Sequence, residues 1–220
     1  MRKFLKKISH PFLKFGLNFY YSKPRNFTYN NIKIKVHSDV FPPKLTFSTK
    51  ILLDFIQELE LENKTFLELG CGSGIISLLA TKKGAKATAS DINQTALDYL
   101  VTNAEKNHLK VEAVYSDLFQ NIENHSFDYI IINPPYYPKA AKSIKEQAWF
   151  CGENFEYFEK LFHQLPSYLS SETNCFMILS QDCESEKIKA IAIKNAMAFE
   201  LVLEEKKLVE TNYIFKIVVW

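Results

Sequence analysis

From Lys64 onward, short apolar runs alternate with stripes of helical period. The runs are Thr65 to Leu69, Ala85 to Ser90, Val111 to Tyr115, a run opening at Phe127, Cys175 to Leu179, Phe199 to Leu203 and Tyr213 to Val219. Apolar runs of this length, bounded by turn residues, read as buried strands. Between them lie a helix from Ile75 to Lys83, a stripe through Ala96, Leu97, Leu100, Val101 and Ala104, another through Phe155, Phe158, Leu161, Phe162 and Leu165, and a helix from Lys187 to Met197 with Ile188, Ile191 and Ala192 inward. Gly84 is placed to close the first helix in a left-handed conformation and Asn93 to cap the second. Seven strands with interleaved helices predict a doubly wound, mostly parallel α/β sheet. The last two strands lack a helix-length connection, so they pair as an antiparallel hairpin.

The first forty residues follow a different pattern. Phe4, Ile8, Phe12, Phe15 and Phe19 form an amphipathic stripe interrupted by Pro11. Phe27 to Tyr29 and Ile32 to Val36 flank Asn30-Asn31 and predict a short hairpin. Pro42 and Pro43 then stiffen an extended link, and Ser48 is placed to cap a helix whose apolar residues are Ile51, Leu52, Phe55, Ile56 and Leu59. The expected organisation is a basic arm with a hairpin over residues 1–40 and a single α/β domain over 41–220.

Charge sharpens that division. Residues 1–38 hold nine Lys or Arg and no Asp or Glu, leaving eighteen basic against twenty-five acidic residues, a net of −7, in the remainder. A basic arm on an acidic body either meets an anion such as RNA or is solvated. Cys71, Cys151, Cys175 and Cys183 form no C-x-x-C pair, which fits a reducing cytoplasm rather than a zinc or disulfide framework. No uncharged apolar run is long enough for a membrane span, and lysines interrupt the apolar start.

The chemistry gathers at strand ends. Ile130-Ile131-Ile132 stops at Asn133 because Pro134 and Pro135 cannot donate to a sheet ladder. A polar amide, a rigid turn and the ring of Tyr136 thus sit together where open α/β sheets bind ligands. Three of the six glycines, Gly70, Gly72 and Gly74, fall within five residues after the first strand of the alternation. Their G-x-G-x-G spacing is neither the G-x-G-x-x-G of dinucleotide binders nor a phosphate loop, yet it asks for close ligand approach to the backbone. Asp91, twenty-three residues after Glu68, ends the next strand and is placed to hold ribose hydroxyls or to cap a helix. Asp117 ends the third strand, where it can accept from an exocyclic amine with Leu118 packing on a purine.

Glu68-Leu-Gly-Cys-Gly-Ser-Gly74, Asp91, Ser116-Asp117 and Asn133-Pro-Pro-Tyr136, in this order and spacing, resemble the class I S-adenosylmethionine-dependent methyltransferases that act on nitrogen. Glu146-Gln-Ala-Trp-Phe-Cys-Gly152 looks, loosely, like the matching segment of the HemK-type glutamine methyltransferases of release factors, although the chain has no room for their N-terminal helical domain. The resemblance implies that Gly70, Cys71, Gly72, Ser73 and Gly74 wrap the methionine part of the cofactor while Glu68 positions its amino group. It implies that Asp91 and Ile92 hold the ribose side and Asp117 and Leu118 the adenine. Asn133 and the Pro134 carbonyl would accept the two hydrogens of a substrate –NH2, with Pro135 and Tyr136 beside them. S-adenosylhomocysteine would be the product. The implied acceptor is a glutamine amide in a release-factor-like protein. The alternatives are an amino group of adenine or guanine in RNA or DNA, favoured by the arm, and a non-catalytic cofactor-binding partner.

Overall fold

The computed structural model describes residues 23–44, 46–123, 125–208 and 210–219, so the stripe through residues 4–19 lies outside them. In chain order the elements are β1 (Arg25–Tyr29), β2 (Ile32–Val36), α1 (Phe47–Gln57), β3 (Thr65–Leu69), α2 (Ile75–Lys82), β4 (Lys86–Asp91), α3 (Gln94–Lys106), β5 (Glu112–Tyr115), β6 (Tyr129–Ile132), the short α4 (Ile144–Gln147), α5 (Glu156–Gln164), β7 (Asn174–Ser180), α6 (Ser185–Lys194), β8 (Met197–Lys207) and β9 (Glu210–Val219). The main sheet runs β5-β4-β3-β6-β7-β9-β8. Strands β3 to β7 pair in parallel, and β9 runs antiparallel to both β7 and β8. The predicted seven-stranded, doubly wound sheet with an antiparallel C-terminal hairpin is the observed one.

Alternation along each strand divides the core. Phe66, Ile131, Phe176, Ile178 and Ile214 face α1, α2 and α3, while Leu67, Leu69, Ile130, Ile132 and Met177 face α5 and α6. Strands β3 and β6 are neighbours, but the chain leaves them toward opposite faces. This is the topological switch of an open sheet, and a crevice opens above it.

The small hairpin is fastened to the body. Its Asn30-Asn31 turn has positive φ at both residues, 45° and 63°, which suits a primed turn. Strand β2 buries Ile32, Ile34 and Val36 in the same core as α3. Two asparagines four residues apart, Asn103 in α3 and Asn107 at its C-cap, then act as a substitute strand. Asn103 Oδ1 accepts from Lys35 N at 2.8 Å while its Nδ2 donates to Lys35 O at 2.9 Å. Asn107 does the same with Lys33, at 2.9 and 2.8 Å.

Two local expectations are corrected. Ser48 does not cap α1. Thr46 holds the cap position without a side-chain cap bond, and Ser48 is buried in the first turn. Met197 is not in α6. That helix ends at Lys194, Ala196 turns through a φ of 58°, and Met197 already opens β8.

Asn103 is 1% exposed, so Asn103→Ala leaves the Lys35 groups without that partner. The expected loss is about 1–3 kcal/mol of stability. Urea denaturation should show it, together with faster hydrogen exchange at the Lys35 amide.

Candidate active site

Above the switch lies a cavity of about 440 Å³, within the roughly 300–1,000 Å³ typical of small-molecule sites. Its wall takes Glu68, Gly70, Cys71, Gly72 and Ser73 from the end of β3, Asp91 and Ile92 from β4, Asp117 and Leu118 from β5, and Asn133 and Pro135 from β6. Three residues of the predicted set stand outside this wall. Gly74 has a packing role: its φ is 71°, and an added Cβ would come within 2.3 Å of Leu100 Cδ1. Pro134 is buried. Tyr136 is half-buried against the α5 side of the sheet, with its phenol beside Tyr137 and Ser180.

The glycine loop is held from below. Gly70 N and Cys71 N donate to Ser90 O at 2.9 and 2.8 Å. Gly70 adopts a φ of 76°, and an added Cβ there would meet nothing within 4 Å. Asp91 joins the loop to the next helix: Oδ2 accepts from Gly72 N at 2.7 Å and Oδ1 from Asn93 N at 2.8 Å. Asn93 is the helix cap, accepting from Thr95 N at 3.1 Å. Each Asp91 oxygen keeps a further lone pair for a ligand.

Glu68 is 5% exposed. Its Oε2 accepts from Ser77 N at 2.8 Å and, in a short bond, from Ser77 Oγ in the first turn of α2. Burial pushes its pKa up to about 8, outweighing those two bonds, and the neighbouring Asp91 adds to the rise. Burial raises Asp91 as well, against the pull of its backbone donors. Asp117 carries a partner absent from the sequence reading: Lys160 Nζ of α5 donates to Asp117 Oδ2 at 2.5 Å.

The chain after the Asn-Pro-Pro-Tyr turn folds back as a roof. Tyr137 N donates to Trp149 O at 3.1 Å and Cys151 N to Tyr137 O at 3.0 Å. Ala141, Ile144, Gln147, Ala148 and Phe150 thereby face the cavity. The roof meets the loop after β2 on the opposite rim, through an ion pair of Lys145 with Asp39 at 3.1 Å and a ring contact of Trp149 with Phe41 at 4.7 Å. Asp39, Phe41, Tyr157 and Lys160 all line the cavity, and none of them was singled out in the sequence. Lys160 and Tyr157 lie three residues apart on α5, a spacing legible only as an ordinary helix face.

The residues fit a zwitterionic nucleoside. Three carboxylates, those of Glu68, Asp91 and Asp117, line one wall and suit an ammonium, a diol and an amine, while Ile92 and Leu118 supply apolar surface. The comparisons agree. A family model described as the methyltransferase small domain matches residues 31–217. A Methanocaldococcus jannaschii protein, provisionally named a protein N5-glutamine methyltransferase, is 31% identical over 82% of this chain and 94% of its own length. Ribosomal RNA small subunit methyltransferase C of Haemophilus influenzae is 29% identical over 82% of this chain and 57% of its own length. A T. thermophilus 16S rRNA N2 methyltransferase, solved with S-adenosylmethionine and guanosine, superposes with a TM-score of 0.63 at 18% identity, covering 88% of this chain and 50% of that one.

The family match and the archaeal relative, together with the doubly wound fold, make this a class I S-adenosylmethionine-dependent methyltransferase. The chain belongs to the methyltransferase small domain family. Among the described residues, no helix is long and apolar enough to cross a membrane.

The buried Glu68 sets a pH dependence. Its folded-state pKa of about 8 lies above the ordinary carboxylate value of 4.5. Its stabilising contribution is therefore complete at acid pH and is lost as pH rises toward 8. The slope from this one group reaches about 1.4 kcal/mol per pH unit. Denaturation midpoints between about pH 5 and about pH 8.5 should fall for the wild type and fall less for Glu68→Gln.

Proposed function

We propose that this enzyme methylates the side-chain amide nitrogen of glutamine in a protein substrate. The observation that carries the reading is Asn133. Its amide lines the cofactor cavity directly after the buried Ile130-Ile131-Ile132 run and makes no side-chain hydrogen bond to another described residue. Two prolines follow it, so the backbone that aims it is stiff. The archaeal relative of almost the same extent, with its glutamine-directed name, supports the choice of acceptor.

An amide is a poor nucleophile because its lone pair is delocalised. Two acceptors, the Asn133 side-chain carbonyl and the Pro134 carbonyl, hold both hydrogens of the –NH2 group and favour a tetrahedral nitrogen. Bound S-adenosylmethionine supplies an electrophilic methyl group on a sulfonium. The two carbonyl dipoles stabilise the positive charge that develops on the acceptor nitrogen. Glu68 and the Gly70–Ser73 backbone hold the methionine part, Asp91 the ribose, and Asp117 with Leu118 the base. Tyr136 stands outside the cavity wall and braces the turn from the α5 side of the sheet. The roof covers one side of the cavity. The free cysteines fit action in the cytoplasm.

A second reading is methylation of an exocyclic amino group in RNA. The Haemophilus influenzae relative and the exposed Lys33 and Lys35 favour it. Purified enzyme with methyl-labelled cofactor and separated protein and RNA fractions decides between them. Label in N-methylglutamine after enzymatic digestion of the protein, or released as methylamine by acid, supports the first reading, and label confined to RNA overturns it.

Asn133→Ala should lower kcat and kcat/KM together by about 10²–10³-fold, since the lost acceptor acts on the transition state. Cofactor affinity, read by calorimetry, should stay near wild type. A folded variant with wild-type turnover would remove Asn133 from the chemistry.

A further inference from the structure

The face of α5 that meets the cavity carries Glu156, Tyr157 and Lys160, all outside every motif. Tyr157 and Lys160 are three residues apart, close to one helical turn, and both line the wall. Lys160 Nζ donates to Asp117 Oδ2 at 2.5 Å. Asp117 Oδ1 makes no hydrogen bond to another described residue, and the carboxylate borders the cavity beside Leu118. Tyr157 lies in the field of two carboxylates. Burial first, then Asp91 and Asp117, push its phenol well above the usual range. This helix face thus closes the side of the cavity where the ends of β4 and β5 present their acids.

We propose that Lys160 is a positioning residue that determines nucleobase specificity. It fixes Asp117 by one oxygen, so that the other demands a hydrogen-bond donor at position 6 of the purine. The proposal rests on the reading that Asp117 faces the base. A carboxylate only accepts hydrogen bonds. Left alone at a half-exposed position, it can turn about its side-chain torsions and meet a mismatched ligand through water. Clamped by an ammonium on Oδ2, it presents Oδ1 in one direction. The 6-amino group of adenine satisfies that oxygen. A 6-oxo group places acceptor against acceptor, and polar mismatches of this kind discriminate far more strongly than missing apolar contacts.

The test uses the full chain and two probes, S-adenosylhomocysteine and its 6-oxo counterpart S-inosylhomocysteine, titrated by calorimetry. The wild type should prefer the 6-amino ligand by at least about tenfold. Lys160→Met should bring the two affinities within about threefold while the ligand-free melting temperature hardly moves, because an exposed ion pair contributes little to folding. Lys160→Arg should restore the preference. Asp117→Asn should reverse it, since Lys160 then engages the amide oxygen and turns the –NH2 toward the base. A Lys160→Met protein with wild-type preference overturns the proposal and leaves the pair as a surface ion bridge. If Asp117→Asn also leaves the preference unchanged, Asp117 does not face the base, and the reading beneath the proposal fails with it.

Discussion

The carboxylate of Asp91 joins the pieces of the site that the sheet alone leaves separate. One oxygen holds the glycine loop through Gly72 N, and the other holds the start of α3 through Asn93 N. Asn93 in turn donates through Nδ2 to Asp39 O at 3.1 Å, which ties in the loop after β2. Asp39 then reaches the roof through Lys145. The path runs from the second strand of the alternation to both rims of the cavity by hydrogen bonds and one ion pair. It also explains why the hairpin is fastened to α3 by two asparagines. The loop that follows β2 forms a rim of the cavity, and a loose hairpin would carry that rim away from the roof.

Such a site works against folding. Burial raises the proton affinity of both Glu68 and Asp91, and Asp91 adds to the rise at Glu68. The carboxylates suited to an ammonium and a diol are therefore costly while those groups are absent. A ligand carrying positive charge relieves part of that cost, and whatever binds only the folded state stabilises it. Instability of the free site and affinity for the cofactor thus arise from the same groups, a common relation between stability and function.

The sheet was legible because buried strands have few alternatives. Ile130, Ile131 and Ile132 are all 0% exposed, and their unbroken apolar run is what a strand covered on both faces requires. The glycine spacing and the acids at strand ends were legible because each answers to a local backbone or charge requirement. Ser48 misled because a serine before an apolar stripe is a good cap only if the helix begins just after it, and here Thr46 already occupies that place. The roof, the rim and the Lys160 partner of Asp117 were not legible. Each depends on residues distant in sequence meeting through tertiary packing, as Lys145 meets Asp39 and Trp149 meets Phe41. No local period encodes such meetings.

The Asn-Pro-Pro-Tyr turn combines both kinds of information. As a string it reads as four residues serving one surface. In three dimensions it has two sides, because the extended backbone that proline enforces sends successive residues to opposite faces. Asn133 and Pro135 face the cavity. Pro134 is buried behind them, and Tyr136 reaches the end of β7, where its hydroxyl meets Ser180. The side away from the cofactor therefore anchors the side toward it. Strand β7 pairs with β6 through Ile132 and Met177, so the anchor sits on the adjoining strand of the same rigid sheet. An acceptor that must stabilise a charge only as it forms needs this kind of support, since any freedom in Asn133 would be spent reorienting during the reaction.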